Sequence, residues 1–470
     1  MSEIVNASPT KRFFIDMLTR DIELEDAILD LLDNCIDGAI RVGSEDEDQP
    51  YLGFEATMLI TPDSFVLEDN CGGIPKQTAI DYAFRMGRPQ QEVKETSQTI
   101  GVYGIGMKRA IFKIGREAEV LSRNSEDCYT VTIDNNWTQD EKKWDLPLTD
   151  VGGSCDISST KGGTRIKIEC LNPSVQMRWK NQLETFVSGL QKKVSDSFSV
   201  IIEKGFKIVI NSEEVVPNPI QFLFEESDNK EAIRPYYAEK TYDDVKMTLV
   251  VGLYGSPPSM EELDEAAETK RATEDAGITV ICNDRVVLYN DKSHLTGWGE
   301  AGVPKYHTQF VGIKGILTFD SSNPEKLPMT TTKRGVDLSS PLYADAKEYT
   351  RDAIRLFTSY TNKWKGRNQE EREHSESAVS KRYKDISSSV NHGIIATKTS
   401  RSAKVFKPNL PKPRDARPYR VIHFTRSIED ISYLDFKIFS DTSISHKPSE
   451  VGEKCFDLVF NYYKSEEDNE

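Results

Sequence analysis

The sequence predicts a mixed α/β first domain, a smaller α+β second domain and a small C-terminal module. Three observations carry this. The stretch "AILDLLDNCIDGAI" (27–40) has helical spacing of its apolar residues. Strand-like segments with short turns and glycine-rich loops follow it to about residue 200, and a second strand-rich series runs to about 365. Beyond that point the composition turns charged, Ser-rich and Pro-bearing.

In the first helix Leu24, Ile28, Leu31 and Cys35 line one face, with Leu32 and Ala39 widening it. Asp30, Asn34 and Asp37 line another. The plain alternative is a surface helix whose polar face is wet. Asp and Asn are poor choices for such a face, however, and short oxygen side chains suit Mg²⁺ shared with substrate phosphates. "YLGFEATMLI", the turn "TPDS" and "FVLED" then read as two strands, the second running into "EDNCGGIP". Residues 77–86 look helical, and 87–106 are polar and Gly-bounded, a candidate lid. "MKRAIFKIG" reads as a helix ending at Gly115, and "EVLSRNSEDCYTVTIDNNW" as a hairpin. "GGTRIKIEC" alternates Ile166, Ile168 and Cys170 with Arg165, Lys167 and Glu169, as a half-buried strand should. A long helical pattern at 175–198 closes the domain.

The expected boundaries are thus 1–200, 201–365 for the α+β domain, 366–420 for a charged and basic linker, and 421–470 for an α+β module. The second domain contains "FKIVINS", "VKMTLVVGLYG", "GITVICNDRVVLYND" and "FVGIKGILTF", interrupted by the acidic "SMEELDEAAETKRATEDAG" and followed by a helix from Tyr343 to Thr361. In the last block two strand-like segments precede an amphipathic helix bearing Val451, Cys455, Leu458 and Tyr462.

The 470 residues carry 60 Lys+Arg against 76 Asp+Glu, a net charge of -16, so no uniformly basic surface awaits nucleic acid. No apolar run approaches a membrane span, and "MSEIVNASPTKRFF" lacks the apolar stretch of a signal peptide; a cytoplasmic protein with no membrane partner is the expectation. Seven cysteines without a C-x-x-C pair argue against a disulfide framework and a zinc ribbon.

The glycines gain meaning beside the helix. In "LEDNCGGIP", Asp69 ends a strand where a carboxylate can accept an adenine amino proton, and Gly72 and Gly73 let the backbone approach the ring. In "GVYGIGMKRA", Gly101, Gly104 and Gly106 precede a helix whose N–H groups can cradle phosphates, with Lys108 adding charge. Each motif alone is weak. Their order, acidic helix, D-x-x-G-G loop, lid, G-x-x-G-x-G and G-T strand, is far more specific.

With these residues in place, the sequence resembles the GHKL superfamily of gyrase, heat-shock chaperone, histidine kinase and MutL ATPases. "AILDLLDNCID" is most similar to the microrchidia-type branch, where the helix runs A-I-A-E-L-x-D-N-A-x-D. The resemblance implies a Bergerat-type α/β sandwich, with helices on one face of a mixed sheet and ATP between them. It implies Asn34 as the Mg²⁺ ligand, Asp69 as the adenine-recognising Asp, Gly73 as the clear glycine of that loop, and Gly101, Gly104 and Gly106 as the phosphate loop. Thr164 matches the G-T threonine, and Asp30 the general base that is usually Glu. Cys71 stands where the family has the first glycine of D-x-G-x-G. In the following domain, which would be transducer-like, "LPMTTTKRGVD" resembles the loop that sends a Lys to the γ-phosphate, with Lys333 at the matching place and Arg334 as its rival.

The function so implied is a Mg²⁺-dependent ATP-binding protein and slow ATPase. It would act as a clamp that forms an ATP-dependent homodimer on DNA or a protein client. The alternative is a nucleotide-gated scaffold with little or no hydrolysis, since Asp30 is one methylene shorter than Glu. A sensor kinase would need an upstream helix hairpin bearing a His, and gyrase-like strand passage would need a cleavage domain in the tail. The basic segment (Lys398, Arg401, Lys404, Lys407, Lys412, Arg414, Arg417, Arg420) gives weak support to DNA.

Overall fold

The computed structural model describes residues 10–467 except 45, 47, 86–104, 141–142, 153–154, 158, 160, 227–228, 259–274, 331–332, 391–394, 397–402, 414–421, 423–424 and 440–445. Most of the expected lid and most of the acidic insertion lie outside the described residues. The first block runs α1 (Lys11–Arg20), α2 (Leu24–Val42), β1 (Glu55–Ile60), β2 (Phe65–Asp69), α3 (Lys76–Thr78, continued by a π-turn Ala79–Ala83), α4 (Gly106–Ile114), β3 (Gly115–Arg123), β4 (Cys128–Ile133), α5 (Asn135–Gln139), β5 (Leu148–Asp150), β6 (Gly163–Leu171), α6 (Pro173–Glu203), β7 (Lys207–Ile210) and β8 (Glu213–Glu214).

These strands form one mixed sheet in the order β5-β4-β3-β6-β2-β1-β7-β8, in which β1 and β7 are parallel. Side chains alternate along each strand: Ala56, Met58 and Ile60 of β1 are buried while Leu59 is exposed, so one face of the sheet is dry. Against it lie α2, α4 and α6 in a single apolar cluster. Helix α6 opens with Pro173 in its first turn and buries Val175, Trp179, Phe186, Leu190, Val194 and Phe198 along one face, with the partly buried Leu183 in the turn between Trp179 and Phe186. This is an α/β sandwich. It continues past residue 200, because "FKIVINS" pairs with β1 rather than with the second block.

The sequence of elements then continues with β9 (Gln221–Phe224), β10 (Tyr236–Tyr242), β11 (Val245–Leu253), β12 (Gly277–Cys282), β13 (Arg285–Asp291), β14 (Ile313–Ser321), α7 (Pro341–Trp364), α8 (Asn368–Glu376), β15 (Val379–Arg382), α9 (Tyr383–Val390), β16 (Ile395–Ala396), β17 (Lys404–Phe406), α10 (Ile428–Phe439) and α11 (Pro448–Glu467). The second sheet has the order β13-β12-β14-β11-β10-β17-β16. Helix α7 packs on one of its faces.

Four expectations are corrected. The described residues of 366–420 are more than a linker: β15 pairs with β9, β17 pairs with β10, and Ile386, Ala403 and Leu410 are buried. The described part of the C-terminal block is helical rather than α+β. Ser427 caps α10 by accepting from the Asp430 N–H at 3.1 Å, and Glu429 and Asp430 favour the helix N-terminus over the strand-like alternation of "YLDFKIF". Cys128 and Cys155 form a disulfide that spacing alone did not announce. Cys170 is exposed, since its φ of 49° breaks the alternation of β6.

Lys11, the first residue of α1, is fully buried and donates to the carbonyls of Trp137, Asp140 and Lys143 at 2.5, 2.6 and 2.5 Å. Its ammonium also lies 3.9 Å from the Trp137 ring centroid. Among the described residues no helix is long and apolar enough to cross a membrane.

Candidate functional site

The site begins where β2 ends. Asp69 Oδ1 accepts the N–H of Cys71 at 2.8 Å and of Thr164 at 3.3 Å, so Thr164, at the start of β6, fixes the carboxylate through its backbone. Asn70 ties the same loop down, its Oδ1 accepting from Glu55 N at 2.7 Å and its Nδ2 donating to Gly53 O at 3.1 Å. Gly73 has φ 67°, and a Cβ there would lie 2.1 Å from the Arg123 carbonyl oxygen. Gly38 brings α2 onto this loop, for a Cβ at that position would stand 2.6 Å from Cys71 O. Arg41, one turn on, donates to Gly73 O at 2.8 Å.

Burial pushes the Asp69 carboxyl up to about 6, against the pull of the Cys71 N–H, the Cys35 thiol, the Thr164 N–H and Arg41. Cys35 and Cys71 are buried beside it, and burial raises both thiols well above their usual range. Thiols so placed are unreactive.

Helix α2 supplies the second wall. Leu24, Ile28, Leu31, Leu32, Cys35 and Ala39 are buried as their spacing predicts, and the polar face is dry at Asp30, half-buried at Asp37 and open at Asn34. Asp30 is buried, and its Oδ2 accepts from Arg109 Nε at 3.1 Å and from Arg109 Nη2. Asp33 is fully buried between Arg285 Nε at 2.8 Å and Lys333 Nζ at 3.0 Å. Asn34 is exposed, and its amide has no hydrogen bond among the described residues. Gly106 opens α4 beside this face, where a Cβ would meet Asp30 Cβ at 3.3 Å. Lys108, buried in the same first turn, donates to Ala83 O at 2.9 Å rather than lying open at the helix N-terminus, and burial lowers its pKa to about 8.

The third wall comes from the second block. Met329 and Val336 form an isolated bridge that closes a loop, with Thr330 N donating to Gly335 O at 3.0 Å and Lys333 N to Thr330 O at 2.9 Å. Lys333 sits at φ 57°, in the left-handed region that costs a side-chain-bearing residue free energy and persists only where other contacts hold it. The contact is the Asp33 ion pair. Its neighbour Arg334 pairs with Asp26 at 2.9 Å, donates to the Asp26 carbonyl and approaches Asp30 Oδ1 at 3.6 Å.

Asp30, Asn34 and Gly106, with Lys333 on Asp33, therefore gather about α2, and Asp69 and Gly73 lie on the loop that Gly38 brings against it, with Thr164 bonded to Asp69 from β6. Gly101 and Gly104 lie outside the described residues. Sequence reasoning passed over Asp33, Arg109 and Arg285. Arg109 had a local signal, its i+3 spacing from Gly106. Arg285 had none.

Among the described residues no group of three or more His, Cys, Asp or Glu side chains could hold a metal by itself. A cation at Asn34 would complete its shell with phosphate oxygens and water, as Mg²⁺ does. No curated protein sequence matches the chain. The family model for histidine kinase-, DNA gyrase B- and HSP90-like ATPases matches residues 22–164, from just before α2 to Thr164. That match supports the GHKL superfamily for this segment and, with it, ATP binding.

Proposed function

We propose that the chain is a Mg²⁺-dependent ATP-binding protein and slow ATPase whose second block senses the nucleotide. The carrying observation is the convergence on α2: Asp30 and Asn34 on the helix, Gly106 at the neighbouring helix N-terminus, and Lys333 and Arg334 arriving from a loop about 300 residues away in sequence. Asp69 would accept the adenine amino proton, with Gly73 admitting the ring. Gly101, Gly104 and Gly106 would receive the phosphates, and Lys108 would hold the chain ahead of the lid through Ala83. Asn34 would hold Mg²⁺, which when bound neutralises phosphate charge. Asp30 would take a proton from water as the water oxygen bonds to the γ-phosphorus. The bond from that phosphorus to the β–γ bridging oxygen breaks, its electron pair leaves on ADP, and the proton passes to solvent.

Lys333 is held by Asp33 here, so contact with the γ-phosphate would exchange one anionic partner for another. That exchange would couple the nucleotide to the seam between the blocks, the basis of a conformational clamp and an ATP-dependent homodimer. The client would be DNA or a protein. Lys404 and Lys412 are paired to Glu239 at 3.0 Å and Glu231 at 3.4 Å, which weakens the case for a phosphate backbone on the basic segment. One observation favours the second reading, a scaffold that binds ATP with little hydrolysis: two guanidinium groups already surround Asp30.

Calorimetry and phosphate release test both readings. Wild type should take up Mg·ATP and Asp69→Ala should not; release above the rate of Asp30→Ala selects the ATPase, and equal background rates select the scaffold. Absence of ATP uptake by wild type refutes both. Ultracentrifugation with a non-hydrolysable ATP analogue should yield a dimer, and an unchanged monomer would remove the clamp.

A further inference from the structure

Asp30 does not hold its two oxygens alike. Oδ2 receives both Nε, at 3.1 Å, and Nη2 of Arg109, whereas Oδ1 has no hydrogen bond among the described residues and faces Arg334 Nη2 at 3.6 Å, beyond hydrogen-bond reach. The Arg109–Asp30 pair is largely closed to solvent, the side chains being 12% and 4% exposed. Arg109 is on the same face of α4 as Gly106, whose missing Cβ lets the first turn lie flat against Asp30. Arg334 is held chiefly by Asp26.

An Asp can exchange its oxygens by rotation about the Cβ–Cγ bond, and two N–H donors converging on one of them oppose that rotation. Resting on the hydrolysis reading above, we infer that Arg109 is the positioning residue of the general base: it clamps Oδ2 of Asp30 and leaves Oδ1 as the oxygen that accepts the proton of the attacking water. Arg109 touches neither water nor phosphate in this role. It acts through Asp30, and it supplies by fixation what the shorter side chain loses in reach. A general base contributes in proportion to its alignment, and a displacement of about 1 Å can cost on the order of 100-fold in rate.

The test is steady-state phosphate release by the full chain with Mg·ATP, alongside calorimetric ATP binding, for wild type, Arg109→Met, Arg109→Lys, Asp30→Asn and the double variant Asp30→Asn/Arg109→Met. Arg109→Met should lower kcat by roughly 10- to 100-fold with KM changed by less than about threefold, the pattern of a lost transition-state interaction. Arg109→Lys keeps the charge but cannot place two donors on Oδ2, so it should recover part of kcat. In the Asp30→Asn background, Arg109→Met should cause no further loss, because a residue that works through the carboxylate has nothing left to position. If Arg109→Met does not bind ATP because its fold has failed, Arg109→Lys decides: a several-fold fall in kcat at constant KM supports the role, and a wild-type kcat overturns it. An active wild type beside an unimpaired Arg109→Met, or an equal further loss in the Asp30→Asn background, overturns the positioning role alone. A wild type no faster than Asp30→Asn overturns the hydrolysis reading, and the role with it.

Discussion

Asp33→Asn is the sharpest perturbation of the seam between the two blocks. The carboxylate is fully buried and divided, Oδ1 to Arg285 and Oδ2 to Lys333, so the amide keeps the shape and removes the charge that holds both cations. Arg285 is itself 1% exposed and fixed by the carbonyls of Ser197 at 2.9 Å and Val286 at 3.1 Å, so it cannot swing out to water. Breaking a buried pair from one side costs about 3–5 kcal/mol. At roughly 2–4 °C per kcal/mol for a cooperative unit of 150–250 residues, Tm should fall by on the order of 10 °C. Differential scanning calorimetry reads this, and the loss should fall on the transition that separates the blocks. The triple variant Asp33→Leu/Arg285→Met/Lys333→Met should regain most of it, because all three desolvation costs vanish together. Although burial by itself would raise Asp33, Arg285 and Lys333 outweigh it and hold the carboxyl below its ordinary 3.8. A carboxyl depressed in this way stabilises the fold above its unfolded value, and the contribution is lost as pH falls below about 3.8 toward the folded pKa; Asp33→Asn should lack that part of the acid sensitivity. A Tm within about 2 °C of wild type would refute the reasoning.

Three further outcomes are expected. Since Asp69 titrates near 6 and must be ionised to serve as a full acceptor, the apparent ATP association constant should fall up to about tenfold per pH unit below 6, and Asp69→Asn should bind weakly with no such slope; calorimetry between pH 5 and pH 8 checks it. Gly73→Ala sets a Cβ 2.1 Å from a backbone oxygen at a φ of 67°, so the loop must move, and ATP affinity should drop by at least about tenfold while far-ultraviolet circular dichroism stays native. Lys11→Met strips three backbone carbonyls of a shared donor and should cost about 3 kcal/mol, read as a lower urea midpoint for the first block.

The chain itself determined what depends on neighbours close in sequence. The period of apolar residues fixes α2 and α6, alternation fixes β1 and most of β6, and the spacing of Asp69 from Gly73 builds the loop, because these signals arise within a few turns of backbone. Only the tertiary structure decided which acids on α2 are buried and by whom they are neutralised. Asp33 meets Arg285 and Lys333 across 252 and 300 residues, and no local pattern encodes a charge pair of that separation. Likewise, the segment 366–420 looked too polar to fold, yet a sheet edge needs only a few apolar side chains and free backbone groups to recruit it. The disulfide follows the same logic: β5 pairs with β4 and returns the chain to Cys128, Val151 N donating to Cys128 O at 3.0 Å, and the Cα atoms of Cys128 and Cys155 lie 6.2 Å apart, a proximity that a cysteine count cannot express.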